Sequence, residues 1–135
     1  MNDCIFCKII KGEVSSQKVY EDDRTFAFLD ITPINPGHTL VVPKKHSLNM
    51  LDAAEGDVCA IMAVIHKITP KILKAVGAEA FNLGANNGSV AGQIVPHLHF
   101  HIMPRFSDDG HRLWGGSHVG AGDLEKVAEK IRKEF

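Results

Sequence analysis

Apolar residues recur along this chain with two different spacings, and each change of spacing marks a new element. Ile5, Phe6, Ile9 and Ile10 follow a helical spacing, which predicts a short helix over 5–11 ended by Gly12. Two strand-like runs follow, Lys18–Glu21 and Thr25–Asp30, with Asp22-Asp23 as the turn between them. In the second run Phe26 and Phe28 share one face, Ala27 and Leu29 the other. Thr32–Gly37 holds Pro33, Pro36 and Gly37 and excludes regular structure. His38–Pro43 is a β-branched run that reads as a buried strand.

Asp52-x-x-Glu55 has the form of a capping box. It introduces Val58, Ile61, Met62, Ile65, Ile68, Ile72, Leu73 and Val76 at helical periodicity, with Gly77 as the stop. Pro70 falls inside this pattern and should kink the helix or split it. Phe81–Asn86 reads as a strand, Gly88–Gly92 as a small-residue loop, and His97–Met103 as a strand fenced by Pro96 and Pro104. After a glycine-rich stretch, Asp123 is expected to cap a last helix with Leu124, Val127, Ala128 and Ile131 on one face. Hairpin-like strands with few helices predict an α+β fold: an antiparallel sheet, one long helix and short terminal helices.

Composition narrows the function classes. Residues 1–135 suit one domain, with no repeat or linker. Fifteen basic side chains stand against sixteen acidic ones, which argues against a nucleic-acid surface but not against one bound phosphate. No apolar run reaches membrane-spanning length, and Met1-Asn2-Asp3-Cys4 does not start like a secretory signal, so a cytoplasmic location is expected. Of three cysteines, two form Cys4-x-x-Cys7, which in a reducing compartment points to metal binding or redox chemistry. Cys59 reads as a small buried hydrophobe.

The chemistry concentrates in Gln93-Ile94-Val95-Pro96-His97-Leu98-His99-Phe100-His101-Ile102-Met103. On an extended segment His97, His99 and His101 share one face, and Leu98, Phe100 and Ile102 anchor the other. Same-face neighbours lie about 6.6 Å apart, and the outer two about 13 Å apart at their α-carbons. Neighbours can share a small site, but all three cannot easily hold one metal, so divided roles are expected. A hydrolytic zinc centre stays open as a rival, with ligands from other strands.

The apolar-spaced run His97-Leu98-His99-Phe100-His101-Ile102-Met103 resembles the signature of the histidine triad superfamily. Further likeness lies in Ile5–Ile10, Ala27–Asp30, Pro36-Gly37-His38, Val42–His46 and Gly92-Gln93, in the same order as in its Hit and Hint branches. The resemblance spans Cys4 to about Arg105 and weakens over the last 30 residues. It implies that His99 is the nucleophile toward an α-phosphorus, forming a nucleotidyl-histidine that water cleaves. His101, Gln93 and Asn86 would contact the phosphate or leaving group, and His38 would support the triad from behind. Asp30 would bind the ribose hydroxyls, and Phe6, Ile9, Phe28 and Ile31 would clamp a purine base. The same residues otherwise read as a turn-capping aspartate and plain core.

Cys4, Cys7, His46 and His97 match the structural zinc ligands of relatives that keep Cys-x-x-Cys, with redox use of the pair as the rival. The resemblance also implies a homodimer. Its implied reaction releases a nucleoside monophosphate from a phosphoramidate or a dinucleoside polyphosphate. Two features bear on which: Ile94 stands where Hint proteins usually carry serine, and Pro104-Arg105 is similar to the dinucleoside-polyphosphate hydrolases. A non-catalytic nucleotide-binding module and a transferase using phosphate as acceptor are the alternatives. His66, His111 and His118 belong to no motif and read as solvated, and Trp114 lies in the variable tail.

Overall fold

A computed structural model describes residues 3–112 and 114–135. The order of elements is α1 (Ile5–Ile10), β1 (Lys18–Glu21), β2 (Thr25–Leu29), β3 (Thr39–Pro43), α2 (Glu55–Val76), β4 (Ala80–Gly84), β5 (Phe100–Arg105) and α3 (Ala121–Arg132). A single 3-10 turn, Ser89–Ala91, lies between β4 and β5. The five strands form one antiparallel sheet in the order β1-β2-β3-β5-β4. The fold is therefore the α+β antiparallel architecture expected, with one long helix.

Helices cover both faces of the sheet, and the alternation along each strand decides which residue meets which helix. On one face Ala27, Val41, Phe100 and Ile102 pack with Ile61, Val64, Ile65, Ile68 and Ile72 of α2. On the other, Phe26, Phe28, Leu40 and Val42 pack with Phe6 and Ile9 of α1. Every residue of β3 is buried for this reason. Leu98 joins the α2 cluster, while Phe6 lies edge-on to His97 and His99, so the histidine segment splits its faces as the alternation predicts.

Several local expectations are corrected. The regular strand starts at Phe100 rather than His97 and runs through Pro104 to Arg105. Before it, the segment is held by Leu98 N–H donating to the Ser47 carbonyl at 2.9 Å. Pro104 is tolerated inside β5 because β3 pairs only as far as Ile102. The Pro104 carbonyl faces that open side, where it accepts from Asn35 at 2.9 Å, so the missing N–H interrupts no ladder bond.

Asp52 does not cap α2. Its carboxylate accepts from the Leu48 and Asn49 N–H groups, and the helix opens after Ala54 without a side-chain cap. Pro70 does not split α2, because its ring lies on the exposed face, where water can serve the carbonyl left without a partner. Cys59 is exposed, one position off the buried stripe that runs through Ile61 and Val64. Asp123 sits in the first turn of α3 rather than at its cap. Leu124, Val127 and Ile131 are 58%, 54% and 54% exposed, so no other described residue covers that face.

Candidate functional site

The four central histidines are joined by bonds that fix where each proton sits. The Ile34 N–H donates to His38 Nδ1 at 3.1 Å, so His38 keeps its proton on Nε2. That Nε2–H donates to His101 Nδ1 at 2.9 Å, which leaves the His101 proton on Nε2. His99 Nδ1–H donates to the His97 carbonyl at 2.7 Å, which leaves a lone pair on His99 Nε2. His97 Nε2–H donates to the Pro43 carbonyl at 2.9 Å. The rings of His99 and His101 lie 5.0 Å apart. A lone pair and an N–H donor therefore stand side by side.

Both rings line a cavity of about 430 Å³. Phe6, Ile9 and Phe28 form its apolar wall while remaining part of the core, at 7%, 8% and 4% exposure. Ile31 stands at the rim, 93% exposed. Asp30 reaches the cavity from the end of β2. One of its oxygens accepts from the Thr32 N–H and hydroxyl, the turn-capping arrangement, and the other lies 3.5 Å from His38 Nε2. Leu40 and Val95 complete the wall. Their burial in strand and loop gave the sequence no signal beyond that of core.

Asn86 and Gly92 line the cavity, linked by a long contact from the Asn86 amide to the Gly92 carbonyl. Gly92 takes φ +92°, and an added Cβ there would meet the Asn86 amide at 3.3 Å. Gln93 is placed differently from the contact role its motif implies. It is not among the residues lining the cavity. Its amide oxygen accepts from the Gly88 N–H, and its nitrogen donates to the Leu48 and Val95 carbonyls. Gln93 thus ties Gly88 and Val95 of one loop to Leu48 of another.

Burial is the main influence on the titration of His101 and His38. It holds His101 down at about 4, reinforced by the proximity of His99 and His38 and opposed by Asp30. Burial also lowers His38.

A second constellation lies on the other side of His97. Cys4 Sγ and Cys7 Sγ stand 3.4 and 3.6 Å from His97 Nδ1, Cys7 Sγ stands 3.4 Å from His46 Nδ1, and the two Nδ1 atoms are 3.2 Å apart. A tetrahedral zinc with ordinary bond lengths has an N–N edge of about 3.3 Å and S–N edges of about 3.5 Å. The donor set fits that polyhedron. The His97 tautomer also suits it, since Nε2–H is engaged by Pro43 and Nδ1 is free to ligate. Asp30, His38 and His101 also converge. There the Ile34 N–H keeps a proton on His38 Nε2, the atom that a cation would need, so hydrogen bonding prevails over ligation.

Arg105 does not reach the cavity. Its guanidinium donates to both oxygens of Asp109, to Asn82 and to the His111 carbonyl. Asp109 also accepts from Asn35, in the loop after Asp30, and is held far below the usual carboxylate range by Arg105 and backbone N–H groups. His111, read as solvated, bonds the Ile34 carbonyl at 2.8 Å while staying exposed. The sequence hint of this clamp was the four-residue spacing of Arg105 and Asp109, which is weak outside a helix.

A family model described as HIT domain matches residues 11–108. Adenylylsulfatase HINT3 of Arabidopsis thaliana is 44% identical over 133 residues, covering 98% of this chain and 64% of that protein. Adenosine 5'-monophosphoramidase hnt1 of Schizosaccharomyces pombe is 42% identical over 134 residues, covering 98% of both chains. The crystal structure of SMU.412c from Streptococcus mutans UA159 superposes with a TM-score of 0.94 at 43% identity, covering 99% of this chain and 86% of that one.

Proposed function

The chain belongs to the HIT domain family, and on that footing we propose that it is a nucleotide hydrolase working through a covalent histidine intermediate. The observation that carries this reading is the pair of fixed tautomers: His99 turns a lone pair, and His101 an N–H, toward one cavity. Two relatives named for splitting adenosine 5'-monophosphoramidate and adenylyl sulfate support the substrate class. The substrate is a purine nucleotide blocked at its α-phosphate.

In the proposed reaction the His99 Nε2 lone pair forms a bond to the α-phosphorus. The bond to the leaving group breaks, and its electron pair departs on the leaving nitrogen or oxygen. That atom gains a proton from solvent. Water then attacks phosphorus, returns a proton to solvent, and restores the lone pair to His99 as the monophosphate leaves. The His97 carbonyl stabilises positive charge on the His99 ring through Nδ1–H. His101 Nε2–H donates to a phosphate oxygen or the bridging atom, with His38 behind it keeping that proton outward. Asp30 receives the ribose hydroxyls, and Phe6, Ile9, Phe28 and Ile31 flank the base. Asn86 offers its amide to the phosphate from the opposite wall, and Gln93 acts by holding Gly88 and Val95 in place.

Rapid quench with a labelled nucleoside phosphoramidate tests this. Wild type should carry acid-labile label, and His99→Ala should lose the label and at least about 10²–10⁴-fold in rate. Full activity in that variant overturns the reading. A nucleoside diphosphate appearing on addition of phosphate would assign transfer instead of hydrolysis, and monophosphate binding without turnover would leave a binding module.

Three further parts belong to the proposal. Cys4, Cys7, His46 and His97 hold a structural zinc, which supplies a cross-link and takes no part in the reaction. Residues 1–135 act as one HIT domain, and two copies pair into a homodimer. Among the described residues no helix is long and apolar enough to cross a membrane. Cytoplasmic residence is proposed because thiolate ligands need a reducing compartment.

A further inference from the structure

Residues 31–37 join Asp30 to His38 without forming a regular element, and none of them is buried. Bonds from the loop after β5 hold this segment. The Ile34 carbonyl accepts from His111 Nε2–H at 2.8 Å. The Asn35 amide donates to Asp109 Oδ2 and to the Pro104 carbonyl, both at 2.9 Å. Arg105 fixes the two anchors in turn, because its guanidinium meets both Asp109 oxygens and the His111 carbonyl. Asp109 also accepts from the Phe106 and His111 N–H groups at 3.0 Å each. A two-pronged guanidinium–carboxylate pair with two backbone donors on the same carboxylate is far stiffer than a lone surface ion pair.

The segment so held lies one bond from the histidines. The Ile34 N–H is the donor to His38 Nδ1, and His38 Nε2–H is the donor to His101 Nδ1. If Ile34 drifts, Nδ1 of His38 loses its partner, and the ring is free to turn or to carry its proton on Nδ1 instead. A lone pair would then face His101, which would answer with its own Nδ1–H. That leaves a lone pair where the cavity needs a donor. The Asp30 carboxylate stands 3.5 Å from His38 Nε2, too far for a good hydrogen bond, and cannot replace Ile34.

We infer that the Arg105–Asp109 turn, acting through Asn35 and His111 on the backbone of Ile34, is a positioning device that keeps the His101 N–H directed into the cavity. None of these four side chains lines the cavity, so they are positioning residues and touch no reacting atom. The inference rests on the hydrolase reading for what that N–H does, and it extends the machinery to a loop outside the cavity.

The test severs the segment from the turn in the full chain with His111→Ala, Asn35→Ala and the two combined. Two quantities are read: kcat and KM for a nucleoside phosphoramidate, and the ring-nitrogen NMR resonances of His38 and His101. In the double variant kcat should fall about 10–10²-fold with KM nearly unchanged. The resonances of both rings should move toward a mixture of tautomers. His111→Ala alone changes an exposed side chain, so its fold is secure, and it should show a smaller loss of the same kind. His111→Gln, which keeps a donor for the Ile34 carbonyl, should restore most of the rate. Unchanged kcat, a loss confined to KM, or a fall in rate with both rings' resonances unmoved overturns the inference. If wild type cleaves no substrate, the hydrolase reading falls separately, and the resonances still decide. Movement on cutting the Ile34 and Asn35 bonds upholds the positioning device, and unmoved resonances refute it.

Discussion

His101 is pressed toward neutrality by burial and by two neighbouring rings, while Asp30 alone pulls the other way. Its folded value of about 4 lies below the roughly 6.5 of a free imidazole. Between those values the unfolded chain binds more protons than the folded one. Stability therefore rises with pH through that window, and it is lost as pH falls from about 6.5 toward about 4. Urea unfolding at pH 7.5, 6 and 5 should show a steady decline, shallower in His101→Asn than in wild type. Identical slopes in the two chains would refute a burial effect at this ring. The alternation of His97, His99 and His101 was readable residue by residue, because strand-like geometry dictates it. The proton positions were not, because they depend on the Ile34 N–H and on the carbonyls of Pro43 and His97, and backbone groups leave no trace in a sequence. The bonds of Gln93 were illegible for a related reason: its side chain bonds to backbone at three places.

Between elements, Gly37 is a tight joint. It has φ +90°, and an added Cβ would lie 3.1 Å from Pro104 Cγ, 3.1 Å from Val76 Cγ1 and 3.3 Å from Ile72 Cγ2. β5, the end of α2 and the turn before β3 all meet there. Gly37→Ala should cost about 1–3 kcal/mol in chemical denaturation, from strained backbone and overpacking together. A change within 0.5 kcal/mol would mean that the joint gives way easily. Cys4, Cys7, His46 and His97 bring α1, the loop after β3 and the segment before β5 together at another joint. Metal analysis of the purified chain should find about one zinc per chain, and Cys4→Ser should lose it together with thermal stability. Metal retained in that variant would remove the assignment. Helix and strand positions were legible because both faces of the sheet are covered and the periodicities are clean. The start of β5 was not, since His97 lies in a bend and the Leu98 N–H bonds the Ser47 carbonyl rather than a strand. Asp52 deceived because a carboxylate can cap a loop as well as a helix.

Across the whole molecule, one side of the sheet ends in an apolar surface. β4 is an edge strand, and Phe81 on it is 40% exposed. With Met62, Thr69 and Leu73 of α2 it lines a groove of about 770 Å³. A second copy applied there would cover the groove and the strand edge together, which is the proposed dimer. Sedimentation should give the mass of two chains at micromolar concentration, and Leu73→Glu should give one. A monomeric wild type would refute the pairing. The exposed stripe of α3 was visible in its spacing, but what covers it was not, because periodicity names a face and not its partner.

The order β1-β2-β3-β5-β4 also bears on how this protein is made. β4 leaves the ribosome before β5, the strand it pairs with in this chain. The first three strands can zip up as they emerge, while β4 must wait unpaired for its late neighbour. A nascent chain halted before residue 100 would hold a ready-made meander and no means of seating β4. Release of β5 therefore completes the sheet and brings His101 to the cavity in a single late step.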